Sequence, residues 1–234
     1  GLEAIKKAFD AGGGLRSDGL QHQKSTAPAV HNSSDWMGNL ITDSKGRVVA
    51  SSVQNTILFT LYHHSLSGIF SYDEFKQDII LRRCPPWMHD GDFFIRPIND
   101  NDVTKLSGYL ETLGISPSHE RTFRAINVVA HENLFNSAQE YISGLKWDGT
   151  PRLETFFQEL GCDKEAPEYL AFVFKKWMTA GVKRVMEPGC KFDHVLILES
   201  QEQGFYKSSA LKELATFNGE SYYTDAFSVT DIGR

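Results

Sequence analysis

Residues 192–209 constrain the fold of this chain more than any other stretch. The apolar segment from Phe192 to Glu199 reads as a short strand, and it is followed by a polar loop and by Lys207-Ser208-Ser209 at the start of a helix. This order is typical of a phosphate-binding loop, in which backbone N–H groups surround the phosphates and a Ser or Thr hydroxyl binds magnesium. The helix that follows adds the positive end of its dipole. The stretch therefore predicts a strand, a loop and a helix arranged around an anion.

The loop departs from the Gly-x-x-x-x-Gly-Lys-Ser pattern at two positions. Gln201 and Tyr206 stand where the pattern has glycine, and Gly204 is the only glycine in the loop. Glycine is favoured at such positions because the loop needs unusual backbone angles and a close approach to the phosphate. Taken alone, the same residues also describe an ordinary helix start in which serine is the cap. Both interpretations stay open on the loop residues themselves.

The amino-acid composition indicates the cellular compartment and the class of binding partner to expect. The 234 residues carry a net charge of −6, and neither half is basic, so no broad electrostatic surface for nucleic acid is predicted. The cysteines Cys84, Cys162 and Cys190 are far apart and match no metal-site spacing, which predicts a reduced, cytoplasmic setting. No apolar run reaches the length of a membrane span. Because the chain starts at Gly1 and ends at Arg234 inside the segment of interest, we expect a fragment.

Apolar periodicity divides the chain into helices and the turns between them. Residues 2–10 predict a short amphipathic helix, residues 11–34 are rich in Gly, Ser, Gln and His, and residues 1–34 together are expected to be a flexible tail or linker. Residues 68–81 suggest a short extended piece with a helical turn. Helices are predicted at 52–62, 99–113, from Ser116 with Pro117 in its first turn, and at 137–145, 153–160, 167–186 and 208–217.

Two of these helices have a clear apolar stripe. The stripe predicted for the helix at 99–113 is Val103, Leu106, Leu110 and Leu113. The stripe predicted for the helix after Ser116 is Phe123, Ile126, Val129 and Ala130. A second strand is predicted to begin at Tyr222.

Several other residues have a structural interpretation that outweighs a functional one. The aromatic residues Tyr169, Phe172 and Trp177 share a helix and are interpreted as core rather than as a base-stacking platform. The turn that contains Trp147 and Asp148 is interpreted as a packed joint, with Arg152 paired to an acidic neighbour. The basic pairs Lys175-Lys176 and Lys183-Arg184 are interpreted as a solvated helix face, and His63-His64, His89 and His131 as structural, since they lack metal-site spacing.

The C-terminal part also carries short blocks in a fixed order. They are Tyr141 to Leu145, Trp147 to Leu153, Lys176-Trp177 with Val182 and Arg184, Glu187 to Leu196, the loop that ends in Lys207-Ser208, Tyr223-Thr224-Asp225 and Asp231-Ile232-Gly233. Together these blocks resemble the virulence-associated protein E family, a group of phage and prophage proteins related to phage primase–helicases. The Trp-Asp-Gly-x-Pro-Arg-Leu and Pro-Gly-x-Lys-Phe-Asp blocks are the most specific of them.

The resemblance implies a P-loop ATPase domain similar to that of superfamily-three helicases. By position, Lys207 would neutralise the outer phosphates, Ser208 would hold Mg²⁺ and Ser209 would assist a phosphate, while Gln203 and Gly204 match a Gln-Gly pair common in the family loop. The resemblance thus implies ATP and Mg²⁺ as cofactors, DNA as a partner and a homo-oligomeric ring in the full-length protein, with no membrane. The carboxylate that hydrolysis requires would lie further downstream, so no catalytic residue is assigned.

We therefore expect an α/β, helix-rich chain. Its parts would be a mainly helical N-terminal domain (35–145) and the first part of a P-loop NTPase domain (146–234). The expected function is part of a phage or mobile-element replication protein that resembles an ATP-dependent DNA helicase. The alternative is a non-catalytic module, derived from such an ATPase, that binds DNA or a protein partner.

Overall fold

The computed structural model of the chain describes residues 35–154, 156, 166–199, 206–217 and 219–225. They form a mixed α/β, helix-rich structure in two compact units, one ending at Glu140 and the other beginning at Tyr141. The helices are α1 (Val53–Tyr62), α2 (Asp100–Thr112), α3 (His119–Glu132), α4 (Ser137–Gly144), α5 (Pro167–Met186) and α6 (Lys207–Leu214). The strands are β1 (Phe70–Asp73), β2 (Asp78–Leu81), β3 (Arg96–Pro97), β4 (Leu134–Phe135), β5 (Thr216–Phe217) and β6 (Glu220–Ser221). The predicted tail 1–34 and most of the predicted helix 153–160 lie outside the described residues.

A four-stranded sheet lies at the centre of the N-terminal unit, in the order β3-β2-β1-β4. Strands β1 and β2 form an antiparallel hairpin in which Phe70 lies opposite Leu81, and β4 pairs with β1 in parallel. The short extended piece predicted within residues 68–81 is confirmed by β1, and the turn after it is closed by a hydrogen bond from the Gln77 N–H to the Asp73 carbonyl at 2.7 Å. The second strand of the segment, β2, was not predicted. The predicted helices of this unit are present, but the sheet against which they pack was not predicted.

Buried polar side chains explain why the sequence did not reveal this sheet. Ser71 and Asp73 of β1 are fully buried, and Arg82 is buried just after β2. The Asp73 carboxylate accepts two backbone N–H bonds, and the Arg82 guanidinium lies 3.0 Å from the Glu140 carboxylate. Buried polar groups persist in a fold when they have such partners. Their presence removes the apolar–polar alternation by which a strand is recognised in a sequence.

Helices α1, α2 and α3 cover one hydrophobic core with the sheet. The predicted stripes of α2 and α3 are confirmed for Val103, Leu106, Leu110, Ile126, Val129 and Ala130, all of which are buried. Phe123 was predicted to join the α3 stripe, but it is exposed. The fully buried Thr122 occupies the position one turn before Ile126 instead, so Phe123 is turned toward solvent.

The helix ends follow from local chemistry. Gly114 stops α2 with a φ of 84°, a left-handed conformation that costs glycine little. Pro117 was predicted to occupy the first turn of the next helix, but Ser118 is the N-cap and α3 begins at His119. The Ser118 hydroxyl accepts a hydrogen bond from the Arg121 N–H, which satisfies one of the unpaired donors of the first turn.

In the C-terminal unit, α5 is anchored by aromatic contacts. Phe174 is buried and stacks on Phe156 and Trp177, with ring centres 4.3 and 6.2 Å apart. The prediction that Tyr169 and Phe172 are core is wrong, because both are exposed. Helical periodicity places these two rings on the side of α5 opposite Phe174. Within the described residues, no helix is long and apolar enough to cross a membrane.

Candidate phosphate-binding site

Helix α6 begins at Lys207, as the sequence predicted, and Tyr206 immediately precedes it. Tyr206 has φ 54° and ψ 23°, which is the left-handed conformation, and no side-chain hydrogen bond caps the helix. The first intrahelical bond runs from the Ala210 N–H to the Tyr206 carbonyl at 2.9 Å. The N–H groups of the first turn and the helix dipole therefore point toward the side from which the chain arrives.

The side chains of the first turn differ in their exposure. Ala210 is buried and fixes one side of α6, Lys207 and Ser209 are half-buried, and Ser208 is exposed. An exposed serine hydroxyl and a lysine at a helix N-terminus are groups that a phosphate and its magnesium ion can reach. Residues Gln203 and Gly204, which were predicted to complete this site, lie outside the described residues, and so does Gln201.

The strand predicted from Phe192 to Glu199 is wrong. Residues 191–199 have no strand pairing in the described part of the chain. The side chains of Val195 and Ile197 are 83% and 73% exposed. A strand requires a neighbouring strand for its backbone N–H and C=O groups, and the described residues of this unit supply none beside this segment. Within the part of the chain that the structure describes, no sheet buries the apolar residues that suggested this strand.

The short sheet of the C-terminal unit lies after α6. Strands β5 and β6 form an antiparallel hairpin in which Thr216 is opposite Ser221. The Phe217 ring stacks between Tyr141 and Tyr222, with ring centres 4.9 and 4.5 Å away. A strand was predicted to begin at Tyr222, but β6 covers Glu220–Ser221 and ends one residue before Tyr222. The described residues of this unit thus contain a hairpin and no central parallel sheet.

The turn at residues 147–152 is held by an ion pair within the turn. The Asp148 carboxylate accepts bonds from both terminal nitrogens of Arg152, at 2.9 and 2.5 Å, and from the Thr150 N–H at 3.0 Å. The Arg152 guanidinium and then the Thr150 amide lower the pKa of Asp148 far below its usual value. The prediction that Arg152 pairs with an acidic neighbour is confirmed. Trp147 was predicted to be packed, but its side chain is exposed.

The histidines form no metal site in the described part of the chain. No group of three or more His, Cys, Asp or Glu side chains is arranged there to hold an ion. His131 stacks on Tyr72 with ring centres 4.2 Å apart, while burial and then the neighbouring His64 lower the pKa of His63. These contacts support the structural interpretation of His63 and His131.

Comparison with known proteins finds one family model that matches part of the chain. The sequence from residue 142 to residue 232 matches the model of the virulence-associated protein E-like domain, and this match spans the 147–152 turn, α5, α6 and the hairpin. No curated protein matches the chain. The C-terminal part of this chain is therefore similar to the virulence-associated protein E-like domain, which is consistent with the resemblance of its sequence blocks.

Proposed function

We propose that the C-terminal unit binds ATP with Mg²⁺ at the N-terminus of α6, as part of a phage or mobile-element replication protein of the DNA helicase type. The observation that carries the proposal is the geometry of Tyr206 and Lys207 inside the matched domain. The chain enters α6 through a left-handed residue, and the next residue is the lysine. In a phosphate-binding loop a glycine makes this entry, because it adopts that conformation without steric cost.

The roles of the individual residues follow from charge and position. Lys207 would donate to the outer phosphates, Ser208 would bind Mg²⁺ and Ser209 would contact a phosphate, with Gln203 and Gly204 in the loop before them. The N–H groups of the first turn would add neutral donors and the positive helix end. In the full-length protein, a homo-oligomeric ring acting on DNA would use this nucleotide.

The first test is nucleotide binding by wild type and by Lys207→Ala. Loss of a charge-assisted bond to phosphate is expected to weaken binding of a fluorescent ATP analogue about tenfold or more, measured with Mg²⁺ present. The matched control is Lys212→Ala, which removes a lysine from the last turn of the same helix and should leave the affinity unchanged. Equal and negligible binding by wild type and Lys207→Ala would contradict the proposal.

Tyr206→Gly tests whether the loop is shaped for phosphate. A left-handed conformation costs a non-glycine residue about 1 kcal/mol. Because Tyr206 has this conformation without nucleotide, removing the cost stabilises the protein and does not by itself change the affinity. Glycine also removes the aromatic side chain next to Lys207, and for that reason we expect the ATP analogue to bind about fivefold more tightly. Gln77→Gly is the matched control, because Gln77 has nearly the same φ, 55°, but lies in the β1–β2 turn.

An unchanged affinity in Tyr206→Gly, together with weak binding by wild type, would favour the second candidate function. That candidate is a non-catalytic module that binds DNA or a protein partner. Two observations favour it. A half-exposed tyrosine replaces the expected glycine, and residues 192–199, which were predicted to form the strand before the loop, have no strand pairing among the described residues. Measuring ATP hydrolysis in the presence of DNA separates the two candidates in the full-length protein.

A further inference from the structure

Helix α5 exposes a continuous stripe of residues along one face. Tyr169, Phe172, Lys176, Thr179, Lys183 and Met186 follow one another at alternating spacings of three and four, which places them on one side of a helix. We name these six residues the α5 stripe. Tyr169 is 65% and Phe172 is 59% exposed, and the other four are exposed as well. The two rings lie at the N-terminal end of the stripe and the two lysines follow them on the same face of the helix.

The stripe is positively charged in an acidic chain. Helix α5 contains four basic residues and one acidic residue, whereas the whole chain has a net charge of −6. The Lys176 ammonium lies 5.3 Å from the centre of the Phe172 ring. Among the described residues, no carboxylate lies within 4.0 Å of Lys175 or Lys176, and Lys183 has only a long contact of 3.6 Å to Glu187. The local charge therefore complements a polyanion.

The composition of the stripe argues against the other partners of an exposed helix face. Spacings of three and four also describe the seam of a coiled coil, but a seam with a second copy would bury Lys176 and Lys183. An interfacial membrane helix keeps its aromatic residues on one face and its lysines on the opposite face. In the α5 stripe, Phe172 and Lys176 share one face and touch each other.

We propose that the α5 stripe binds single-stranded nucleic acid. Tyr169 and Phe172 stack against bases, and the ammonium groups of Lys176 and Lys183 contact phosphates, assisted by Lys175 at the edge of the stripe. The two rings start roughly 4.5 Å apart along the helix axis, so neighbouring bases can each meet one ring. Exposed aromatic residues beside positively charged groups are the usual means of binding a single strand without reading its sequence. The inference rests on the proposed function for DNA as partner, but not on nucleotide binding at Lys207.

The test is binding of a fluorescein-labelled oligothymidylate to the whole chain, measured by anisotropy without nucleotide. Phe172→Ala should weaken binding about tenfold, the effect of removing one stacked base. Lys176→Gln should reduce the slope of log affinity against log salt by about 0.7, as expected for one phosphate contact on a single strand. Circular dichroism of each variant checks that α5 remains folded.

The matched control is Phe94→Ala. Phe94 is 62% exposed and also has a cation near its ring, because the Arg96 guanidinium lies 6.0 Å from the ring centre. That arginine is neutralised by Asp102, so the Phe94 site lacks the free positive charge of the α5 stripe. Phe94→Ala should therefore bind the oligonucleotide as wild type does.

Several results would overturn the inference. The first is that the wild-type protein does not bind the oligonucleotide. The second is that Phe172→Ala and wild type bind it with equal affinity. The third is that the wild-type protein binds single-stranded and duplex DNA with equal affinity. A sedimentation change caused by Phe172→Ala would instead assign the stripe to contact with a second copy. This assay contains no nucleotide. A failure of ATP binding at α6 would thus leave the α5 result intact, and the reverse also holds.

Discussion

Replacing Asp102 by alanine is expected to reduce the free energy of unfolding by about 3–5 kcal/mol, the usual cost of removing one partner of a buried ion pair. The Asp102 side chain is 1% exposed, and its carboxylate forms a two-pronged pair with Arg96 at 2.6 and 2.8 Å. The same carboxylate accepts the Asn99 N–H at 3.0 Å and so closes the capping box of α2. Alanine would leave the Arg96 charge and the Asn99 donor without this partner.

Urea denaturation followed by tryptophan fluorescence measures this effect. Asp100→Ala is the matched control, because Asp100 lies in the same first turn of α2 but is exposed. It should cost only about 0.3–1 kcal/mol through the helix dipole, a term that both substitutions share. Similar losses for Asp100→Ala and Asp102→Ala would mean that the buried pair contributes nothing beyond the dipole.

The same carboxylate gives this stability a defined pH dependence. Burial alone would raise the pKa of Asp102, but the hydrogen bonds from Arg96 and Asn99 outweigh it and lower the pKa below the usual value. A lowered pKa in the folded state means that the stabilisation is present at neutral pH and is lost as the pH falls below about 4. The difference in unfolding free energy between wild type and Asp102→Asn should therefore narrow over that acidic range.

Replacing Asn55 by alanine is expected to cost about 2–4 kcal/mol, because it leaves several buried backbone groups without partners. Asn55 is fully buried in α1. Its side-chain oxygen accepts the Ile41 N–H at 2.8 Å, and its amide nitrogen donates to the carbonyls of Ile41 and Val49 at 2.9 and 3.0 Å. The Asn55 side chain thus attaches both Ile41 and Val49, in the segment before α1, to the helix.

Asn127→Ala provides the control for this prediction. Asn127 lies in α3 and is exposed, so alanine should change stability by about 0.5 kcal/mol or less, through helix propensity. Thermal and urea denaturation of both variants isolates the buried hydrogen bonds of Asn55. A loss in Asn55→Ala no larger than the Asn127→Ala change would show that water or other groups replace those bonds.

The parts of the molecule predicted well from sequence are those governed by neighbours along the chain. The start of α6 at Lys207 follows from its residues, and the end of α2 follows from Gly114, whose φ is positive. The pairing of Asp148 with Arg152 follows from a spacing of four residues. The matched C-terminal family follows from blocks of adjacent residues. In each case the interacting residues are only a few positions apart in the sequence, so the local sequence is enough to predict the feature.

The predictions that failed concern burial, which depends on residues far apart in the chain. The apolar residues Val195 and Ile197 read as a buried strand, yet no neighbouring strand in the described residues covers them. Tyr169 and Phe172 read as core, but Phe174 occupies the buried side of α5. Conversely, Ser71 and Asp73 are polar but are buried in the central sheet. An apolar pattern indicates that a side chain can be buried, but it does not indicate which other part of the protein will cover that side chain.

By itself, the sequence determined the presence of most helices among the described residues, the family resemblance of the C-terminal part, and the lysine and serines at the N-terminus of α6. Only the tertiary structure decided that polar residues lie inside the four-stranded sheet, that Tyr206 takes a left-handed conformation, and that α5 presents its rings and lysines to solvent. The physical reason is that helix starts and turns are stabilised by bonds between close neighbours, whereas burial and sheet pairing are set by segments that meet only after the chain has folded.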